Sequence, residues 1–257
     1  MSSPLRFNKA LVIGANEPIG KALAKYFVSI GKTVVVAGYP EADITAARHE
    51  IGAHGTLVFD AGSSPEDIAD FAAAVAGLHP TIDCLVNAAD TEAALDLANL
   101  PAADPGLGDA IAYLDRQLVR NVRGPLHLTL RLLPLLRRAP GGARIVNVGS
   151  LFGFVPTGFP EPGYGASRAW THAWSMTLRT QLRRVSPEVR VVEIVAPVVG
   201  PAWGMTPDAF AAEVAAKLQR GDETFGVGPA ADVVQKWFQT YGPAYEAAEA
   251  SWKPPPA

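Results

Sequence analysis

Ser150, Tyr164 and Arg168 are the side chains of this sequence best suited to chemistry. Ser150 ends an apolar stretch that predicts a strand, and Tyr164 opens a predicted helix after a loop rich in Gly, Pro and aromatic residues. Arg168 follows at i+4, which places it on the same helix face as Tyr164. A neighbouring cation favours the phenolate and lowers the pKa of a tyrosine from its reference value near 10. With the Ser150 hydroxyl holding a substrate oxygen, the set predicts general acid–base chemistry on a carbonyl, alcohol or epoxide.

The Tyr-x-x-x-Arg spacing taken alone is more typical of two residues on a helix surface. A functional interpretation therefore depends on the elements around it. The chain has 257 residues, of which 49% are apolar and 18% charged, a composition typical of one ordered α/β domain. A net charge of −3 gives no reason to expect nucleic acid or an anionic membrane as partner. Cys84, the only cysteine, lies in an apolar run and is expected to be packed.

The order of predicted elements indicates a parallel sheet. Short apolar runs alternate with helical spacing throughout, which predicts a Rossmann-like, doubly wound α/β fold with helices on both faces of the sheet. Ser64-Pro65 and Thr206-Pro207 are helix starts, with the hydroxyl residue as N-cap. A long helical region over about 110–138 contains Pro125 and Pro134, which are expected to kink or divide it.

We expect a single domain and no internal boundary. Residues 9–200 form its nucleotide-binding and catalytic core, residues 201–245 supply a substrate-cap helix and C-terminal elements, and residues 250–257 are a frayed tail. The last helix is predicted over about 230–240. The first strand begins by about Ala10, and no run approaches 18 apolar residues. We therefore expect a soluble, cytoplasmic protein.

Several motifs, in order, resemble those of the short-chain dehydrogenase/reductase family over residues 9 to about 200. Gly14 and Gly20 match the outer glycines of its T-G-x-x-x-G-x-G turn, and 87–90 match its N-N-A-G. Asn121 matches an asparagine of its proton relay, and Ser150 and Tyr164 match its Ser…Tyr-x-x-x-Lys set, with Arg168 at the lysine. The resemblance implies an oxidoreductase that moves hydride between NAD or NADP and a carbonyl or alcohol. Tyr164 would be its acid/base, Ser150 would hold the substrate oxygen, and Asn121 would support a water relay.

The resemblance also implies where a dinucleotide would bind. Its contacts would be Gly14, Asn16, Pro18, Ile19, Gly20, Tyr39, Asp60, Ala61, Asn87, Ala88, Pro197 and Val199.

The departures from the family pattern lie mostly in this cofactor region. Pro18 replaces the middle glycine and lacks an N–H for the pyrophosphate, and Asp90 replaces a glycine near the ribose. Residues 37–40 hold neither an aspartate for a free ribose nor an arginine for a 2′-phosphate, and Glu17 would repel such a phosphate. The choice between NAD, NADP and no cofactor is therefore open.

Arg168 at the lysine position raises two alternatives. An arginine does not deprotonate near neutral pH, so it can tune Tyr164 but not relay a proton itself. Ser-Tyr-Arg is also the set of halohydrin dehalogenases, relatives without a dinucleotide, so the chain could be a cofactor-independent dehalogenase-like enzyme, isomerase or cyclase. The other alternative is an inactive binding protein on the same fold.

The substrate side is predicted to be apolar. Phe152, Phe154, Phe159 and Trp203 would line a pocket for an apolar small molecule. The family resemblance implies a homodimer, with a homotetramer as the alternative. The five histidines show no ligand spacing, so no metal is expected. Arg120, Arg123, Arg137 and Arg138 are interpreted as solvated faces.

Overall fold

A computed structural model of the chain describes residues 7–91, 95, 99, 106–159, 161–198 and 205–253. Seven parallel strands within them form one sheet, in the order β3-β2-β1-β4-β5-β6-β7. The strands are β1 (Lys9–Ile13), β2 (Thr33–Gly38), β3 (Gly55–Val58), β4 (Cys84–Asn87), β5 (Ala143–Ser150), β6 (Val189–Ala196) and β7 (Thr224–Gly226). The strand order reverses between β1 and β4, which is where ligands bind in open sheets of this kind.

Helices cover both faces of the sheet. They are α1 (Pro18–Ser29), α2 (Glu41–Ile51), α3 (Pro65–Leu78), α4 (Gly106–Leu118), α5 (Gly124–Arg137), α6 (Pro162–Val185), α7 (Pro207–Arg220) and α8 (Ala230–Ser251). Alternate strand residues point to opposite faces, so each face builds its own apolar cluster. Phe27 of α1, Ile44 of α2 and Phe210 of α7 pack in one cluster. Ile68 of α3, Leu128 of α5 and Leu178 of α6 pack in the other. This confirms the predicted single-domain, doubly wound fold.

The predicted long helix is interrupted by a π-helical turn. Val119–Arg123 joins α4 to α5, and the Gly124 N–H reaches back to the carbonyl of Val119. Pro125 has no N–H to bond the carbonyl four residues earlier, which favours a wider turn at this place. Gly124 also packs tightly, since a Cβ there would lie 2.2 Å from the Ala61 carbonyl oxygen. The interruption orients Asn121 towards the loop that follows β4.

The last helix corrects the sequence-based expectation. α8 continues to Ser251, although Gly242 and Pro243 within it predict an earlier end near residue 240. Tertiary contacts hold the additional turns: the Tyr245 hydroxyl donates to the Met176 carbonyl at 2.9 Å, and Glu249 pairs with Arg183. Within the described ranges, none of the helices is long and apolar enough to span a membrane.

Candidate active site

The carboxyl ends of four neighbouring strands surround one cleft of about 390 Å³. Parallel register brings Ile13 beside Asn87, Asn87 beside Asn147, and Ser150 beside Ala196, so the residues that follow each strand meet at one edge. The cleft is lined by Glu17, Pro18, Ile19, Ala88, Asp90, Thr91, Val148, Gly149, Ser150, Phe152, Tyr164, Arg168, Ala196, Pro197 and Val198. The predicted catalytic serine, tyrosine and arginine therefore share one cleft.

Asp90 joins the predicted tyrosine and arginine. The Tyr164 phenol donates a hydrogen bond to Asp90 Oδ2 at 2.7 Å, and Arg168 Nη2 donates to Asp90 Oδ1. The guanidinium also lies over the Tyr164 ring, 4.9 Å from its centre. One carboxylate thus bonds both residues of the Tyr-x-x-x-Arg pair, although it is distant from them in sequence.

Arg168 is held as a buried cation. Its side chain is 5% exposed, against 34% for Asp90, and its Nη1 donates to the Val148 carbonyl at 3.2 Å. Burial disfavours its charge, but the Asp90 carboxylate, Tyr164 and Glu17 more than offset this, so the pKa of Arg168 is raised. A buried guanidinium with these partners stays charged and does not exchange its proton.

Glu17 is a second carboxyl in the same cleft. Its Oε2 accepts the backbone N–H of Asp90 at 2.9 Å, while its Oε1 lies 3.8 Å from Arg120. Burial and the nearby Asp90 carboxylate raise its pKa from 4.5 to about 7, although the Asp90 N–H, Arg120 and Arg168 act in the opposite direction. Glu17 therefore exchanges its proton near neutral pH.

Asn121 clamps the loop that carries Asp90. Its side-chain oxygen accepts the Thr91 N–H at 3.0 Å and its amide donates to the Thr91 carbonyl at 2.9 Å. The same amide lies 3.2 Å from Ser167 Oγ on α6. The predicted water relay through Asn121 stays a prediction; the structure shows a side chain that fixes the β4 loop against α6.

Ser150 stands at the end of β5 with its hydroxyl in the cleft. It is buried, and its Oγ accepts the Phe152 N–H at 3.3 Å. That bond occupies a lone pair of the oxygen and leaves the hydroxyl proton able to reach a substrate oxygen.

The glycine turn after β1 is built by close packing. A Cβ on Gly14 would lie 2.5 Å from the Ala89 backbone, and one on Gly20 would lie 2.2 Å from the Gly14 carbonyl oxygen. Gly14 also has a φ of 81°, which glycine adopts readily. Both glycines therefore bring the N-terminus of α1 against the turn and the β4 loop.

The residues predicted for the adenosine end lie along the edge of β2 and β3. The Asn16 amide donates to the Tyr39 carbonyl at 3.1 Å, and the Tyr39 side chain is exposed. Asp60 Oδ1 accepts the Gly62 N–H at 2.8 Å and lies 3.9 Å from Arg120. The amide of Asn87 is directed inward, to Thr129 and Asn147.

The structure separates the predicted substrate residues. Phe152 lines the cleft, whereas Phe154 packs against His172 and Trp237, with ring centres 4.1 and 5.9 Å away. Phe159 is 82% exposed and is not among the lining residues. Val199 and Trp203 lie outside the described residues.

Sequence reasoning missed Asp90 and Glu17 as partners of the catalytic set, because it treated them only as obstacles to a cofactor. It was wrong about Arg120 and Arg123, which are not merely solvated. Arg120 lies between Glu17 and Asp60, and Arg123 donates to the Ser63 carbonyl at 2.7 Å. The position of Asp90 could have identified it as a site residue, because it is an acid directly after the Asn87-Ala88-Ala89 run, where the strand order reverses.

The chain also matches the model of a known protein family. The short chain dehydrogenase model matches residues 8–209. The chain therefore belongs to the short-chain dehydrogenase/reductase family, and its relatives are oxidoreductases.

Individual relatives are distant. The chain is 30% identical over 193 residues to the uncharacterized oxidoreductase DltE of Bacillus subtilis, covering 75% of this chain and 71% of the relative. It is 30% identical over 190 residues to sulfoacetaldehyde reductase 2 of Chromohalobacter salexigens, covering 72% and 69%. A solved metagenomic short-chain oxidoreductase in complex with NADP is 26% identical, with a TM-score of 0.70 over 88% of this chain and 98% of the other.

A nicotinamide dinucleotide fits this site on two observations. The first intrahelical bond of α1 runs from the Lys21 N–H to the Glu17 carbonyl, so the Ile19 and Gly20 amides precede it at a helix N-terminus, which suits a diphosphate. The Nε of Arg168 is buried and has no hydrogen-bond partner among the described residues, beside the phenol of Tyr164. The carboxyls of Glu17 and Asp90 do not suit an anionic dinucleotide. Because the pKa of Glu17 is about 7, part of the Glu17 population is neutral near pH 7, which reduces its repulsion of the diphosphate.

Proposed function

We propose that this protein is an NAD- or NADP-dependent oxidoreductase that interconverts a carbonyl and an alcohol on an apolar small molecule. The observation that carries the proposal is the meeting of Ser150, Tyr164 and Arg168 in one cleft at the carboxyl edge of the sheet. In a family of oxidoreductases, this arrangement supports acid–base chemistry at a substrate oxygen.

Each residue has a distinct part in the reaction. Ser150 donates a hydrogen bond to the substrate oxygen and orients it, and Tyr164 gives that oxygen a proton during reduction or removes one during oxidation. Ile19 and Pro197 line the cleft and would hold a nicotinamide dinucleotide, which would supply or accept the hydride. Arg168 stabilises negative charge on the phenol, and Asn121 keeps the β4 loop in place.

The walls of the cleft favour an apolar substrate. Val148, Phe152, Ala196 and Pro197 supply apolar surface beside Ser150.

A solved relative holds NADP, but this chain has Tyr39 at the end of β2 and no basic residue adjoining it, so NAD and NADP are equal candidates. We also propose a cytoplasmic homodimer, or alternatively a homotetramer, which light scattering of the purified protein would measure.

The first experiment is a titration with NADH and NADPH, followed by nicotinamide fluorescence and by calorimetry, and then a screen of carbonyl substrates. We expect micromolar binding of at least one nucleotide. Absence of binding up to millimolar concentration would rule out hydride transfer, and the chain would then be assayed with haloalcohols and epoxides.

A further inference from the structure

Asp90 hydrogen-bonds two residues of the catalytic set, Tyr164 and Arg168. Its Oδ2 accepts the Tyr164 hydroxyl at 2.7 Å, and its Oδ1 accepts the Thr91 N–H at 2.7 Å as well as Arg168. Its backbone N–H is fixed by Glu17, and the next residue is clamped by Asn121. Three hydrogen bonds therefore hold the carboxylate, one of them from the phenol, and two more contacts fix the backbone that carries it.

Arg168 cannot perform the proton transfer that a lysine performs at its position in the family. A guanidinium does not deprotonate in proteins, and this one is buried beside a carboxylate. Tyr164 nevertheless has to exchange one proton with solvent in every turnover. Asp90 is the acceptor that its hydroxyl already contacts.

We propose that Asp90 is a catalytic residue that takes the Tyr164 proton during alcohol oxidation and returns it during carbonyl reduction. This inference rests on the proposed oxidoreductase function. Arg168 then acts as a positioning residue, which holds Asp90 against the phenol and keeps its carboxylate oriented.

Each proton transfer of this proposal has a named donor and a named acceptor. In oxidation, the alcohol O–H bond breaks and its proton goes to the Tyr164 oxygen, while the phenolic proton goes to Asp90 Oδ2. The hydride leaves the substrate carbon for the nicotinamide that the proposed function requires. Asp90 then releases its proton to water, since its side chain is 34% exposed. In reduction, every transfer runs in the opposite direction.

Glu17 extends this path. Its carboxyl lies in the same cleft, bonded to the Asp90 backbone, and its pKa near 7 suits exchange with solvent. The titratable and charged groups around Asp90 come from two elements, Glu17 from the turn after β1 and Tyr164 with Arg168 from α6, while Arg120 of the π-helical turn lies beside Glu17. A guanidinium has no acceptor, so among Asp90 and these groups the proton acceptors available to the phenol are the carboxyls of Asp90 and Glu17.

The central experiment compares Asp90→Asn and Asp90→Ala with the wild type. We expect each to lose about 100-fold in kcat, a typical contribution of one acid–base group, while nucleotide binding is retained or tightened. The matched control is Asp222→Asn, which removes a carboxylate from an exposed Arg220–Asp222 pair and should leave kcat within twofold.

Rescue of Asp90→Ala separates proton transfer from ion pairing. Formate, acetate and chloroacetate should restore alcohol oxidation, with a rate constant that increases with the basicity of the carboxylate. If the added anion only replaced the ion pair with Arg168, all three carboxylates would restore activity equally, and chloride would restore it too. That result would assign Asp90 a structural role and overturn the proposal.

A nucleotide-free measurement tests the contact itself. The absorbance of tyrosinate is followed through an alkaline titration, and the contribution of Tyr164 is the absorbance of the wild type minus that of Tyr164→Phe. In the Asp90→Asn background, the tyrosinate absorbance of Tyr164 should rise at lower pH, because removal of a neighbouring anion favours the phenolate. An unchanged titration would contradict the hydrogen bond on which the proposal depends.

Loss of the oxidoreductase function and loss of the role of Asp90 give different experimental results. If the wild type binds neither NADH nor NADPH, the oxidoreductase function fails and this proposal fails with it. If the wild type binds and turns over while Asp90→Asn keeps its rate and pH profile, only the role of Asp90 is wrong.

Discussion

The two ends of the cleft satisfy their polar groups in different ways. At the α6 end, Tyr164, Arg168 and Asp90 bond one another, and Arg168 also reaches the Val148 carbonyl. At the α1 end, Pro18 supplies no N–H, and the Glu17 carboxyl accepts one backbone hydrogen bond within the described residues, from Asp90. The first end is a connected network, whereas at the second the Ile19 and Gly20 amides precede the first intrahelical bond of α1, and the Glu17 carboxyl has a pKa of about 7.

From this difference we infer that the α6 end is suited to acid–base chemistry and the α1 end to anion binding that depends on pH. A connected network is preorganised, so it can transfer a proton without rearranging. A helix N-terminus with an adjoining acid binds an anion well only when that acid is neutral. We expect changes at the α6 end to alter kcat and changes at the α1 end to alter nucleotide affinity and its pH dependence.

The largest effect is expected for Tyr164→Phe. Removing the phenolic oxygen deletes the acid–base group and should lower kcat by about 100- to 10,000-fold, with nucleotide affinity within threefold of the wild type. The measurement is steady-state kinetics beside a fluorescence titration. Tyr241→Phe, on the exposed face of α8, serves as the control and should be neutral. An unchanged kcat in the first variant would remove Tyr164 from the chemistry.

Arg168→Met tests whether the network also stabilises the fold. Without the guanidinium, the Asp90 carboxylate keeps its hydrogen bonds from Tyr164 and the Thr91 N–H but loses the one from Arg168 together with its charge partner. A buried pair broken in this way costs about 3–5 kcal/mol when no water compensates. Because Asp90 is partly exposed, we expect a loss of about 2 kcal/mol in the free energy of unfolding. Urea denaturation measures it.

The control for that comparison is Arg183→Met. Arg183 pairs with Glu223 and Glu249 at the surface and is 43% exposed, so its removal should cost under about 1 kcal/mol. Equal losses in the two variants would mean that the buried position of Arg168 contributes nothing to stability.

Local sequence signals predicted most of the fold. Ser64 caps α3 by accepting the Asp67 N–H, and Thr206 caps α7 by accepting the Ala209 N–H, both as their hydroxyl-Pro pairs predict. Such features depend on neighbours within four residues, which a single sequence displays.

The parts that sequence did not predict depend on distant contacts. Asp90 and Tyr164 lie 74 residues apart, and only the register of β4 with β5 and the packing of α6 bring them together. Glu17 likewise gains its raised pKa from burial beside a residue of another strand end. The additional turns of α8 depend on Tyr245 and Glu249 reaching α6, which overrides Gly242 and Pro243.

Glu17→Gln should remove a pH dependence from nucleotide binding. The bound diphosphate is an anion, so it favours protonated Glu17, whose pKa is about 7. Affinity of the wild type should therefore fall by about tenfold between pH 6 and pH 8, and that of the variant should stay level. Calorimetric titration at several pH values measures both. A parallel decline in the variant would assign the effect to another group.

The same variant gives a control that needs no nucleotide. Because the folded state raises the pKa of Glu17 above its ordinary 4.5, it binds this proton more tightly than the unfolded state. Glu17 therefore costs stability as pH rises from about 4.5 to 7, and the full cost persists above that. Relative to the wild type, the Tm of Glu17→Gln should gain most above pH 7. A Tm difference independent of pH would contradict the raised pKa.

The smallest effect is expected for Pro18→Gly. Glycine supplies the N–H that proline lacks and removes a ring from the cleft, which should tighten nucleotide binding by about three- to tenfold, the effect of one additional hydrogen bond. Pro65→Gly is the matched control, because Pro65 also stands at the first position of its helix, α3, outside the cleft. Both variants should lose about 0.5–1 kcal/mol of stability through the greater freedom of the unfolded chain, but only Pro18→Gly should change nucleotide affinity. If Pro18→Gly leaves nucleotide affinity unchanged, the charge of Glu17 limits binding at the α1 end and the missing amide does not. The double variant Pro18→Gly/Glu17→Gln should then bind nucleotide no better than Glu17→Gln alone.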